Sequence, residues 1–225
     1  MPNFFSAGCF QLLSMGGITY TDFWDQALSA NATQLGLNAA AIATNFGVGI
    51  EIDYEKSTNP NLDSMQAFID AYRSVHPYDA TGANPAARLT LDVAVGDRYL
   101  IDLNRHATRF WLTSANPVLD YANAMVPGNG QPTTDQWLEH VAGMPQFAPP
   151  VPPLAPARFT GALWLTRRSS PIPECTQFAT SKQKEYAGLV QTVAPSGAGS
   201  THGMLGYMFW AASTRRMTST RPATN

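Results

Sequence analysis

Between Gly47 and Glu55 the chain reads Gly-Val-Gly-Ile-Glu-Ile-Asp-Tyr-Glu, and few folds can accommodate that stretch. Ile50 and Ile52 alternate with Glu51, Asp53 and Glu55. A strand turns residues i, i+2 and i+4 to one face, so three carboxyls line up along one side. A surface strand can carry three acids. These three, however, follow an apolar helical region and a glycine-containing turn, the context of a strand entering a core. Carboxyls this close do not all ionise together, so at least one is expected to hold its proton to unusually high pH. A carboxyl still protonated near neutral pH is what glycoside hydrolysis requires of its general acid.

The chain has 225 residues, of which 44% are hydrophobic, enough for one domain with a sizeable core. A net charge of −2 gives no footprint for nucleic acid. No apolar run is long enough to span a membrane. Residues Met1 to Phe10 show neither a basic n-region nor an apolar h-region. No signal peptide is therefore visible, and an extracellular location is expected only if the chain is a processed or truncated form. Cys9 and Cys175 form either one disulfide or two free thiols. His76, His106, His140 and His202 lack ligand spacing and read as surface or capping residues, and there is no Gly-x-Ser-x-Gly elbow. The Gly/Ser-rich turn at Ala194 to Gly203 lacks the Lys-Ser/Thr ending of a phosphate-binding loop. Consecutive strand acids without loop carbonyls make a poor cation cage. Neither a metal nor an organic cofactor is expected.

In chain order, strand and helix signals alternate. Phe10 to Gly17 reads as a short buried strand ending in a Gly-Gly turn. Trp24, Leu28, Leu35, Ala39, Ile42 and Phe46 recur at helical spacing. Thr21 is the expected N-cap and Gly47 the C-terminal cap, while Gly36 and Asn38 weaken the middle enough that two shorter helices are an alternative. Lys56 to Asn61 is a polar loop, and Leu62, Met65, Ile69, Tyr72 and Val75 mark a second helix ending before Pro77. Leu89 to Val95 is a β-branched, alternating strand. Asp92 within it reads as a strand acid with a local partner. A helix with unclear limits falls within Arg98 to Trp111, a strand at Val118 to Val126, and a short helix at Thr133 to Val141. Six prolines between Pro145 and Pro156 make a stiff crossover. A strand at Phe159 to Thr166, a helix at Ser181 to Val193 and a strand at Met204 to Trp210 complete the domain, 1–213; the Thr- and Arg-rich tail, 214–225, reads as disordered. Strands alternating with helices imply an α/β fold with a parallel sheet, best a (β/α)8 barrel.

Four of these segments resemble, in the same order, motifs of the glycoside hydrolase family 18, the chitinases and endo-β-N-acetylglucosaminidases. The family pattern Asp-Gly-x-Asp-x-Asp-x-Glu falls on Val48 to Glu55, where Gly49, Asp53 and Glu55 match, Glu51 is a longer acid and Val48 replaces the first Asp. Ser14, Gly16 and Gly17 fit Ser-x-Gly-Gly of the third barrel strand. Asp120, Tyr121, Asn123 and Met125 fit the sixth strand, whose Tyr and final Asp fall on Pro127 and Gly128. Gly206, Met208 and Trp210 fit Gly-x-Met-x-Trp of the eighth. The family has two strand–helix units before Ser-x-Gly-Gly, whereas only about ten residues precede it here, so the barrel is expected to be incomplete and the chain a candidate for oligomerisation.

The resemblance implies hydrolysis of β-1,4-linked N-acetylglucosamine, in chitin or an N-glycan core, by attack of the substrate's own acetamido oxygen. Glu55 would protonate the leaving oxygen, Asp53 would orient the acetamido group, and Glu51 would hold Asp53. Trp210 would form the sugar floor, with Tyr54, Ser14, Gly16, Gly17 and Met125 as further substrate-binding positions. The alternative is a degenerate chitinase-like protein that binds or stores sugar without hydrolysing it, which the absent Asp, Tyr and Asp at Val48, Pro127 and Gly128 favour.

Overall fold

The structure, a computed structural model, describes residues 11–94, 99–113, 115–125, 134–164 and 205–210. Six strands form one all-parallel, curled sheet: β1 (Leu12–Gly16), β2 (Gly49–Asp53), β3 (Leu89–Val93), β4 (Ala122–Ala124), β5 (Phe159–Trp164) and β6 (Gly206–Trp210). They stand side by side in sequence order. A right-handed crossover carries the chain over the same face each time unless the strand order reverses. Here it never reverses, so one face is covered by connections and the other is left to line the inside of the curl. A (β/α)8 barrel has eight strands; the described residues form six, and among them no pairing joins β6 to β1.

The strand register explains why the two faces differ. On the covered face, Ile50 and Ile52 stand beside Leu89 and Leu91, and these beside Ala122 and Phe159. All are fully buried, against Trp24 and Leu28 of α1 (Thr21–Phe46), Phe68, Ile69 and Tyr72 of α2 (Leu62–Val75), and Leu103 of α3 (Ile101–His106). Beyond α3 the chain continues as a wider, π-type helical turn through Trp111, and α4 (Thr134–Ala142) brings Trp137 to the same core. Among the described residues no helix is long and apolar enough to cross a membrane.

α1 is broken, but not at Gly36. Asn31 leaves the helical region (φ −167°, ψ 82°), and its Oδ1 accepts the Gln34 N–H at 2.9 Å, capping the second segment from within. Gly36 serves a different purpose. A Cβ there would stand 2.3 Å from the Phe68 carbonyl oxygen and 2.9 Å from the Ala71 methyl, so its bare backbone lets α1 lie directly on α2. Thr21 does not cap α1 in the expected way either: the N-cap is Tyr20, and the Thr21 hydroxyl donates to Ile18 O at 3.2 Å. Gly47 ends α1 in the left-handed region (φ 64°) as expected.

The strands begin in a polar lattice. The Arg73 guanidinium donates to the carbonyls of Val118, Ala87 and His76 and pairs with Asp120 at 3.1 Å. Asp120 in turn accepts the Leu89 N–H at 2.8 Å, and Arg158 donates to the Asp120 carbonyl at 2.9 Å. These bonds tie together the entrances of β3, β4 and β5, the end of a parallel barrel-like sheet that serves stability. β4 is shorter than the Val118 to Val126 strand expected from sequence because Asp120 is committed to this lattice before pairing starts at Ala122.

His140 corrects its expected surface position. It is buried, its Nε2 donates to Ala94 O at 2.8 Å, and its Nδ1 accepts from Asn104 Nδ2 at 3.2 Å. Burial pushes its pKa down to about 4, so it stays neutral. His76 is likewise buried, at the C-terminal end of α2. The expected helix at 181–193, the tail, Cys9, Cys175, His202, Pro127 and Gly128 lie outside the described residues.

Replacing Gly36 by alanine tests the helix contact by its sign. In an exposed helix the change stabilises by about 1 kcal/mol. At Gly36 the added methyl meets backbone, and overpacking of that kind costs about 1–3 kcal/mol. Gly36→Ala is expected to lower the melting temperature; an increase would show that α1 and α2 are not in backbone contact there.

Candidate active site

The uncovered face of the sheet carries a row of polar side chains set by register alone. Ser14 stands beside Glu51 and Gly16 beside Asp53; Glu51 stands beside Thr90, and Asp92 beside Asn123, which stands beside Thr160. Glu51, Asp53, Thr90, Asp92, Asn123 and Thr160 are all buried. Glu55, two residues beyond the end of β2, is half-buried at the mouth of the row.

Hydrogen bonds run across this face. The Thr160 hydroxyl donates to Asn123 Oδ1, and Asn123 Nδ2 donates to Glu51 Oε1. Asn123 is fixed in orientation because both ends of its amide are engaged. Asp92, protonated, donates to Glu51 from the other side. Burial raises the Asp92 pKa well above its ordinary value, and the charges of Glu51 and Asp53 raise it further. Burial also raises Glu51, while the bonds from Asp92 and Asn123 pull it back. Glu51 is therefore the accepting partner and Asp92 the proton carrier.

The second pair is nearer solvent. Burial pushes Asp53 up to about 6, offset in part by a hydrogen bond from Glu55. No amide or hydroxyl donor reaches Asp53 Oδ1 among the described residues. Burial, then the neighbouring Asp53 charge, pushes Glu55 up to about 7, against a backbone N–H from Ile18 that favours its ionised form. Near neutral pH the proton shared by this pair rests on Glu55, and Asp53 accepts it. The Tyr99 hydroxyl donates to Glu55 O at 3.0 Å and holds the residue's backbone in place.

The Gly-Gly turn after β1 is shaped around Asp53. Gly17 N donates to Asp53 O at 2.9 Å. A Cβ on Gly16, whose φ is 133°, would stand 2.0 Å from that same oxygen and 2.4 Å from Trp24 Nε1. A Cβ on Gly17 (φ 99°) would stand 3.6 Å from Asp53 Oδ2, so the turn lies directly against the carboxyl. Only glycine fits at Gly16, because the backbone crosses the end of β2 at contact distance.

Of the residues singled out from sequence, the structure brings together Glu51, Asp53, Glu55, Gly16 and Gly17, with Ser14 exposed at the edge of the same row. Tyr54 does not join them. It is fully buried on the covered face, where its hydroxyl donates to Asp25 and accepts the Asn61 N–H at 3.0 Å, tying α1 to the loop after β2. Lys56 reinforces that tie through Asp25 at 2.7 Å. The alternation that aligned the acids already placed Tyr54 opposite them. Met125 packs against the hydrophobic core. Trp210 ends β6 opposite Trp164 in register, and its side chain lies outside the described part of the structure. Asp92, Asn123, Thr160 and Tyr99 are the contributors that sequence did not assign to the site; only the register of β2, β3, β4 and β5 shows the first three to be neighbours.

Neither a scan against protein-family models nor a search of curated proteins finds a match for this chain. Among the described residues no cluster of three or more His, Cys, Asp and Glu is arranged to hold a metal ion. The four carboxyls instead form two proton-sharing pairs, Asp92 with Glu51 and Glu55 with Asp53.

The inner pair gives a pH test of the fold. A carboxyl whose folded pKa is raised contributes stability that is fully present below its unfolded value and lost as pH rises through the folded value. For Asp92 the unfolded value is 3.8. Asp92→Asn keeps a donor toward Glu51 and removes the group that must ionise. Its melting temperature is expected to exceed wild type at pH 8, with the gap shrinking as pH falls to 5. A gap independent of pH would contradict the buried, protonated Asp92.

Proposed function

We propose that the chain is a glycoside hydrolase acting on β-1,4-linked N-acetylglucosamine. The observation that carries this reading is the Glu55–Asp53 pair: a half-buried acid with its pKa at about 7, hydrogen-bonded to a carboxyl at about 6, beyond the carboxyl end of a parallel strand. General acid catalysis works best with a pKa near the operating pH. Glu55 supplies the proton to the leaving oxygen. Asp53, once that proton has left, turns its carboxylate to the developing positive charge at the sugar ring or to an acetamido N–H beside it. The Gly17 turn keeps Asp53 in place without filling the space in front of it.

Glu51 acts at one remove. Held by Asn123 and Asp92, it raises Asp92 when ionised, while burial and Asp53's charge raise Glu51 in turn. The inner pair thus holds a proton close to Asp53. The order of roles follows burial: the most exposed carboxyl, Glu55, exchanges protons with substrate, and the deeply buried Glu51 and Asp92 only position their neighbours.

The alternative, a sugar-binding protein without turnover, draws on the residues at Val48, Pro127 and Gly128. Val48 weighs little, because it sits at the entrance of β2, the end away from Glu55, where its N–H donates to Ala43 O at 3.2 Å. Pro127 and Gly128 leave the acetamido group without the tyrosine and the final acid of the family pattern.

Turnover of chito-oligosaccharides is expected in the wild type, and Glu55→Gln is expected to lower kcat by at least about 100-fold, the usual contribution of a general acid, with binding nearly unchanged. The wild-type rate should fall above about pH 7 as Glu55 ionises and below about pH 6 as Asp53 protonates. Binding without turnover in the wild type would establish the non-hydrolysing alternative.

A further inference from the structure

The rim of the carboxyl row carries an apolar feature that neither the core nor the acid chemistry uses. Ile18, Tyr20 and Phe23 are 62%, 56% and 65% exposed. The Tyr20 and Phe23 rings lie 6.3 Å apart, tilted by 46°. Of the other strongly exposed hydrophobics at helix ends, Phe46 and Val75 lie where α1 and α2 turn back toward the strand entrances, and Phe110 stands on the helical turn that follows α3. The cluster at Ile18, Tyr20 and Phe23 follows β1 directly, at the end of the sheet where the acids open.

The cluster adjoins the acids through the Gly-Gly turn. A Cβ on Gly17 would lie 3.9 Å from Tyr20 Cδ2 and 3.6 Å from Asp53 Oδ2, so ring and carboxyl flank the same glycine. The Ile18 N–H donates to the Glu55 carboxyl. The backbone beneath the rings is fixed: Tyr20 N donates to Gly17 O at 2.8 Å, and Trp24 Nε1 donates to Met15 O at 3.0 Å. Exposed apolar clusters held rigidly beside polar groups mark interaction sites.

We propose that Tyr20 and Phe23 form a stacking platform for one ring of a neutral oligosaccharide whose neighbouring unit lies at Asp53 and Glu55. The chemistry selects that occupant. A flat aromatic face suits the C–H face of a pyranose, and the adjacent carboxyls, one protonated and one ionised, offer both donor and acceptor to its hydroxyls. Among the described residues the same carboxyl row has no cation on its face, and it repels anionic ligands such as acidic peptides, phosphorylated groups or an anionic lipid surface. The proposal rests on the glycosidase assignment for its occupant and adds the subsite that gives the site its length preference.

The test is calorimetric titration of the full chain, in the Glu55→Gln background, with chito-, cello-, manno- and xylo-oligosaccharides of two to six units. Tyr20→Ala and Phe23→Ala are each expected to weaken binding of the chito-oligosaccharides, from the disaccharide up, by about tenfold or more, within the range of stacking on an aromatic face. Phe23→Leu, which keeps apolar bulk but loses the flat ring, is expected to weaken binding in the same way, and Phe23→Tyr to restore it. Unchanged affinity for long oligomers in the alanine and leucine variants overturns the platform and leaves the glycosidase assignment standing. Binding of another neutral sugar in place of chito-oligosaccharides, weakened by the same variants, upholds the platform and removes N-acetylglucosamine as substrate. No binding of any sugar by the parent removes both. A dimer in light scattering that Phe23→Ala splits makes the patch a self-interface and overturns the proposal.

Discussion

The structure depends on burying a line of carboxyls on one face of a parallel sheet. Taking even one ionised carboxyl out of water costs several kcal/mol unless it is paired and hydrogen-bonded. The sheet meets that cost by sharing protons. Thr160 orients Asn123, Asn123 donates to Glu51, and Asp92 keeps a proton that Glu51 accepts. The chain of bonds crosses β5, β4, β3 and β2, so the register of those four strands and the ionisation of the acids are one problem. A slip by one residue would turn Glu51 and Asp53 into the hydrophobic layer and Ile50 and Ile52 out of it.

The two ends of the sheet divide the work. At the strand entrances Arg73 and Arg158 satisfy backbone carbonyls, Asp120 accepts from Arg73 and the Leu89 N–H, and together they lock the spacing of β3, β4 and β5. At the exits the polar groups are left only partly satisfied: Asp53 Oδ1 is buried without an amide or hydroxyl donor among the described residues. Stability is concentrated where no chemistry is asked for. Tyr54 joins the two regimes, since it anchors the loop beyond Glu55 to α1 from the covered face while Asp53 and Glu55 on either side of it face the other way.

The parts of this site that sequence disclosed are those that lie within one element. Alternation along β2 gave Glu51, Asp53 and Glu55 a common face, and the Gly-Gly turn marked a place where backbone approaches backbone. Sequence could not disclose what depends on which strands are neighbours. Asp92 read as an acid with a local partner; its partner is Glu51, on the next strand. Met125 stood out on the sixth-strand pattern where Asn123, two residues earlier, is the one that reaches Glu51. The kink in α1 was expected near Gly36 on propensity, but Asn31 makes it, because an Asn can cap a helix from inside and Gly36 is needed for contact with α2. The burial of His140 had no local signal, since its partners, Ala94 and Asn104, are distant in sequence.

The central claim is that the sheet holds the Glu55–Asp53 pair as one protonated and one ionised carboxyl near neutral pH. The most direct measurement is a carbon-13 NMR titration of the side-chain carboxyls of the free protein. Midpoints at about 7 for Glu55 and about 6 for Asp53 are expected, with each resonance sensing the other's transition. Two independent midpoints near the ordinary carboxylate range, about 4, would contradict the account.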